Sequence, residues 1–163
     1  MTHAEGMPCL EETTSRRSEE QWKRIEVMLS DLRDLFQLIL QDCLNDASTA
    51  GTCLHAACLL KTSIENFAPG HSAIVRGGDG EGDGGCMDSA GRWRGHYWVE
   101  VAHADGRRWV ADITGDQFGL APVVWDRLPG ASLRYRPGNQ DVVDEHVARM
   151  IAHLESTTED VDI

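Results

Sequence analysis

A cysteine that opens a helical run, a histidine that opens one strand and an aspartate that closes the next supply a nucleophile, a base and an orienter in chain order. Three stretches carry them here: Gly51-Thr52-Cys53, Gly95-His96-Tyr97-Trp98-Val99-Glu100-Val101 and Ala111-Asp112-Ile113-Thr114-Gly115-Asp116-Gln117-Phe118. If the three converge, the thiol can attack carbonyl groups through a covalent intermediate. A helix start leaves unpaired N–H groups and a positive dipole end, which favour thiolate over thiol and can receive an oxyanion. Gly51 permits a sharp turn and a close substrate approach just before the thiol. Free cysteines are more often small buried hydrophobes, as expected for Cys43 and Cys58. Cys53 differs by standing where its helix begins.

In a strand, His96, Trp98 and Glu100 share one face, with Tyr97, Val99 and Val101 on the other. Asp112 follows the apolar Trp109-Val110-Ala111, and a carboxylate there is costly unless it accepts hydrogen bonds. A histidine N–H is a suitable donor, and the bond would fix the tautomer that turns the other ring nitrogen to sulfur. Asp105-Gly106 between the two strands is a strong hairpin signal, and the hairpin sets positions near 96 and near 112 at about the same level of the sheet. Asp116 offers a second carboxylate. Gln117 could donate to an oxyanion or hold a substrate carbonyl, although a turn glutamine is more often solvated. Trp98 could wall a substrate cleft, although an aromatic residue in a strand is more often core. His55, His71, His103, His146 and His153 are expected to be structural.

The elements that must position these groups follow from periodicity. Residues 1 to 18 are polar and read as a frayed leader. From Gln21 to Cys43, the apolar residues Trp22, Ile25, Leu29, Leu32, Phe36, Ile39, Leu40 and Cys43 recur at threes and fours, predicting one amphipathic helix. A second helix is expected from Cys53 to Asn66, ended by Pro69-Gly70. Ser72–Val75, His96–Ala102 and Arg108–Ile113 read as strands. Val123–Trp125 and Ser132–Arg136 read as shorter ones, and a closing helix is expected from Asp141 to Leu154. Residues 77–91 form a Gly- and Asp-rich stretch. Its start resembles a calcium loop, but Ala90 stands where a bidentate glutamate belongs and no helices flank it. A solvated loop that overhangs the cleft as a lid is the expected role. Helices first and then an antiparallel meander indicate an α+β fold, with one domain over residues 19–155 and a tail over 156–163.

Composition narrows the partners. The 163 residues suit one domain, and a net charge of −12 argues against nucleic acid and anionic membranes. No apolar run approaches the length of a bilayer span, and the first residues lack signal-peptide character. The expected location is the cytoplasm of the producing cell, with export by a route that reads no N-terminal signal left open. The five cysteines lack CxxC spacing, so neither a disulfide framework nor a zinc site is expected. No cofactor is implied. A protein or peptide substrate is.

From about Thr49 to Gly119, the chain resembles the papain-like and transglutaminase-like cysteine enzymes. The signature is Gly-x-Cys at a helix start, then Gly-His-Tyr-Trp-Val-Glu-Val, then Asp-Ile-Thr-Gly-Asp-Gln-Phe. The short Cys-to-His and His-to-Asp separations, with a glutamine soon after the aspartate, are closest to the glutamine deamidase domains of bacterial toxins of the Pasteurella multocida toxin type. The resemblance implies a nucleophile helix packed on an antiparallel sheet. It makes Cys53 the nucleophile, His96 the base, Asp112 its orienter and Gln117 an oxyanion or substrate contact. In papain the oxyanion glutamine precedes the cysteine, where Gln37 and Gln41 are the nearest candidates here. Glutamine side-chain deamidation is the activity it favours. Peptide cleavage and transglutamination would use the same thioester. The reading from another class is a non-catalytic binding or immunity-type module, in which Cys53 would be buried and inert.

Overall fold

The computed structural model describes residues 10–159, and side chains from 19 to 156. Its elements are α1 (Leu10–Leu44), α2 (Cys53–Phe67), β1 (His71–Gly78), β2 (Gly85–Met87), β3 (Trp93–Arg94), β4 (His96–His103), β5 (Arg108–Asp112), β6 (Val124–Arg127), β7 (Tyr135–Arg136) and α3 (Gln140–Glu159). Short 3₁₀ turns lie at Gly115–Phe118 and Gly130–Leu133. The fold is α+β, with every strand pair antiparallel.

The main sheet runs in the order β1-β4-β5-β6, and a smaller one in the order β3-β2-β7. Alternation along the strands builds two cores, one on each face of the main sheet. The helical face buries Ile25 and Leu29 of α1, Leu60 and Ile64 of α2 and Val143 of α3 against Val75, Val99, Val101 and Ala111. The other face buries Trp98, Val110, Val124 and Tyr135 around Cys86. Each fully buried large apolar side chain contributes about 1.5–3 kcal/mol of transfer free energy. Trp98, Glu100 and His96 stand on one face of β4 and Val99 and Val101 on the other, as the alternation requires.

Several expectations change. Helix α1 begins at Leu10, so residues 10–18 are helical and not a frayed leader; residues 1–9 lie outside the described residues. α3 extends to Glu159, into the expected tail, and residues 160–163 lie outside the description. The buried stripe of α1 is Trp22, Ile25, Leu29, Arg33, Phe36 and Leu40, whereas Ile39 and Cys43 face solvent. An arginine therefore occupies a core position. Residues 132–136, expected as one strand, divide between a 3₁₀ turn and the two-residue β7.

The Gly-rich stretch also differs from a free lid. Gly77 and Gly78 end β1, and Gly85–Met87 pairs with both β3 and β7. Between them, Asp79 Oδ1 accepts from the N–H of Glu81 and of Asp83, and Asp83 Oδ1 accepts from the Asn139 N–H at 2.7 Å. Gly80 and Gly84 have φ near +90° (92° and 91°), where a Cβ would collide with the backbone of Arg94 and of Arg136 respectively. The glycines allow close backbone packing, so this segment is a fastened connector. Among the described residues, no group of three or more His, Cys, Asp or Glu could hold a metal ion. No described helix is long and apolar enough to cross a membrane.

Candidate active site

β4 and β5 pair with Val99 opposite Ala111, and continuing that register sets Asp112 opposite Trp98. His96 therefore lies diagonally across from Asp112 on the same face, within reach of a side-chain bond. The bond is made: His96 Nε2 and Asp112 Oδ2 are 2.8 Å apart, and both residues are almost wholly buried. A carboxylate can only accept, so Nε2 carries a hydrogen, and Nδ1 is the position at which the ring gains or loses its second proton.

Asp112 is saturated by its neighbours. Oδ1 accepts from Thr114 N at 2.8 Å and Thr114 Oγ1 at 3.0 Å, while Oδ2 also accepts from the Tyr135 hydroxyl at 2.9 Å. Burial pushes its pKa up, but the charge and hydrogen bond of His96 and the Thr114 and Tyr135 donors hold it below the usual carboxylate value. For His96, burial opposes the charged form. The Asp112 carboxylate outweighs it, with help from the neighbouring Cys53 thiol, and the pKa rises to about 9.

This shift makes a prediction for stability. A histidine raised from 6.5 to about 9 on folding adds stability that is fully present below pH 6.5. That part is lost as pH climbs through about 9. The denaturant midpoint is therefore expected to fall between pH 6.5 and about 9 more steeply than in the His96→Gln variant, as urea titrations at each pH would show.

Cys53 is the first residue of α2 and is partly buried. Gly51, at φ 74°, makes the turn into the helix. Thr52 caps nothing with its side chain, and its hydroxyl donates back to Thr49 O at 2.7 Å. The N–H groups of the first turn, which lack intrahelical acceptors, are left without a side-chain cap. The Cys53 sulfur lies close enough to His96 to help raise its pKa, although the contact falls short of full hydrogen-bond geometry. With Nε2 committed to Asp112, the buried Nδ1 has no other partner and is the nitrogen left for sulfur. The other described thiols differ. Burial pushes Cys58 up and Cys86 up to about 12, and Cys43 is exposed on α1.

Gln117 is brought to the same place. Its Oε1 accepts from the Gly51 N–H at 3.1 Å, two residues before the thiol, and its Nε2 is buried with no hydrogen-bond partner. A donor of that kind beside a helix N-terminus suits an oxyanion.

Asp116, the alternative orienter, does other work. Its carboxylate takes a two-pronged bond from the buried Arg33 guanidinium, at 2.9 and 2.7 Å, and a bond from Thr49 Oγ1 at 3.0 Å. Arg33 Nη1 also donates to Ile113 O at 2.6 Å. One ion pair thus ties α1 to the turn that bears Gln117 and to the loop that precedes Cys53.

Trp98 is a core residue that also touches the floor of a hollow lined by Glu100, Arg108, Leu128 and Tyr135. It is 1 % exposed and packs beneath the site, edge-on to Tyr135 at 5.3 Å and stacked 6.2 Å from the His96 ring. Phe118 covers His96 from another side, edge-on at 4.5 Å. Gln37 and Gln41 lie on α1, where Gln41 Nε2 is spent on Asn45.

No family model, curated protein or solved structure matches the chain. The chemistry must be argued from the site.

Arg33, Thr114 and Tyr135 were not foreseen as parts of it. Arg33 had a readable signal, since Leu29, Arg33, Phe36 and Leu40 keep helical spacing and put a charge on the apolar stripe. Thr114 two residues after an aspartate is the spacing of a local side-chain turn. Tyr135 gave no signal, because its bond to Asp112 spans 23 residues.

Proposed function

We propose that this protein is a cysteine-dependent amide hydrolase or acyl transferase with a papain-like arrangement of Cys53, His96 and Asp112. The observation that carries the reading is the buried His96 ring, with one nitrogen held by Asp112 and the other unpartnered beside a half-exposed thiol at a helix start. His71 Nε2 is likewise buried without a partner, so it is the neighbouring thiol, and not the unpartnered nitrogen alone, that sets His96 apart. Cys53 is not fully buried, as the inert binding module would have it.

In the mechanism, the Sγ proton already rests on His96 Nδ1, as the raised His96 pKa favours, and the thiolate of that ion pair attacks an amide carbonyl carbon. The C–S bond forms, and the carbonyl electron pair moves to oxygen. Gln117 Nε2 and the N–H at the start of α2 stabilise that oxyanion. As the carbonyl re-forms, the C–N bond breaks and the imidazolium gives its proton to the departing nitrogen. Water, losing a proton to His96, then attacks the thioester; C–O forms, C–S breaks and the thiol is restored. An amine in place of water would give a new amide.

Among these outcomes, the resemblance to the toxin deamidase domains favours a glutamine side chain as the acyl donor. Intact-mass measurement of candidate proteins after incubation tests this. Deamidation replaces NH₂ by OH on an unbroken chain, peptide cleavage gives fragments, and transglutamination joins masses. Unmodified substrates across a broad panel, together with no thioester on Cys53, would count against the reading.

Gln117 adds a finer expectation. Gln117→Ala should lower kcat by about 10²-fold, the usual cost of one oxyanion donor. KM and the melting temperature should barely move. A KM effect without a kcat effect would make Gln117 a substrate contact only.

A further inference from the structure

A groove of about 450 Å³ lies beside this site, lined by Asp88, Arg92, Arg94, Gln117, Phe118 and neighbouring residues. It shares Gln117, with its unpartnered Nε2, with the reaction centre, and its Phe118 lies against His96. The segments of its walls are stitched together by the Ser89 N–H donating to Phe118 O at 2.9 Å.

The two arginines are held by one buried carboxylate. Asp88 Oδ2 accepts from Arg92 Nε at 3.1 Å and Arg94 Nε at 3.0 Å, while Oδ1 accepts from the N–H of Ala90 and of Arg92. The backbone bond to Arg92 and the other donors keep Asp88 well below the usual carboxylate range, so it stays ionised. Asp88 is 8 % exposed on its side chain, against 66 % for Arg92 and 45 % for Arg94. Only Nε of each arginine is engaged, and the outer forks carry no hydrogen bond among the described residues. Two cations against one buried anion leave the groove net positive on a chain whose net charge is −12. A guanidinium fork oriented through Nε still presents two N–H groups to a carboxylate.

We propose that this groove selects acyl donors whose chain carries acidic residues beside the reacting amide, with Arg92 and Arg94 as the specificity determinants. The proposal rests on Cys53 being the nucleophile of the proposed function, and it names the substrate chemistry of that site. The arginines do not touch the reacting atoms. They hold the flanking chain.

The test uses three reagents on the full chain: iodoacetamide, and two chloroacetylated tripeptides that differ only in carrying two glutamates or two lysines. At low salt, the glutamate peptide is expected to alkylate Cys53 about fivefold faster than the lysine peptide, the effect of two half-exposed charge pairs. That ratio should shrink towards one as salt rises. It should fall to about one in Arg92→Gln/Arg94→Gln and persist in Arg92→Lys/Arg94→Lys. A wild-type ratio near one, or a ratio unchanged in the double glutamine variant, overturns the proposal. If that glutamine variant does not fold, the wild-type salt series and the lysine variant decide. Iodoacetamide separates the two layers. Fast, selective modification of Cys53 with a peptide ratio of one removes the acidic-donor inference alone. If iodoacetamide modifies Cys53 no faster than Cys43, the catalytic reading falls and this inference with it.

Discussion

Cys53→Ala, His96→Ala and the double variant are expected to be about equally inactive, each losing at least about 10⁴-fold in kcat/KM. The two side chains act on one proton and one bond. Without the thiol there is no nucleophile; without His96 the thiol loses its base and the leaving nitrogen its acid. Removing both should therefore cost little more than removing either. Independent roles would instead give losses that multiply. The stability consequences differ, which separates chemistry from folding. Cys53 is half-exposed, and its alanine variant should melt close to the parent. His96 is fully buried, and its loss leaves Asp112 without its largest compensating partner, so that variant should be destabilised by about 2–4 kcal/mol. Activity and melting temperature measured on all three variants decide the matter.

Asp116→Ala should be among the most destabilising single changes in the chain, at about 3 kcal/mol. It leaves the Arg33 guanidinium charged and buried, with only Ile113 O to meet it, since arginine does not shed its proton in a protein. Arg33→Met should cost less, because the side chain of Asp116 is 35 % exposed and can turn to water, and methionine suits the apolar stripe of α1. The double variant Arg33→Met/Asp116→Ala should be more stable than Asp116→Ala alone. All three should also lose activity, because the pair fixes the turn that bears Gln117 and, through Thr49, the loop before Cys53. Urea unfolding of the three variants reads the order directly. An Asp116→Ala variant as stable as the parent would show that the pair does not hold the site together.

The parts of the site that could be read from sequence are those set by local geometry. Asp105-Gly106 closes a hairpin whose strands were bounded within a residue or so, and the alternation along β4 put His96 on the face that meets Asp112. α2 could be read because its apolar spacing and the Gly51 turn agree on where it starts. What escaped depends on distant contacts or on charge overriding pattern. Arginine is by type a solvent-facing residue, yet the spacing of Arg33 sets it in the core, where Asp116 neutralises it. The Gly- and Asp-rich segment 77–91 read as solvated from composition alone. Its glycines answer to backbone at Arg94 and Arg136, which no local pattern reveals. Trp98 is core, the commoner of the two roles its strand position allows, and the smaller sheet went unseen because β3 and β7 are two residues each. The meeting of Cys53 with His96 joins residues 43 positions apart and could be expected only from resemblance.

Cys43 provides the internal control for the central claim. It is exposed on α1, whereas Cys53 is only half-exposed. Access alone therefore predicts that iodoacetamide reaches Cys43 first. The most direct measurement is a time course of alkylation at neutral pH, with each site quantified by peptide mass, in the parent and in Asp112→Asn, which keeps the shape around His96. The parent is expected to react at Cys53 well before Cys43, and the amide variant, which weakens the hold on the imidazolium, should bring the two rates together. Cys53 reacting at or below the rate of Cys43 in the parent would contradict a thiol activated by His96 and Asp112.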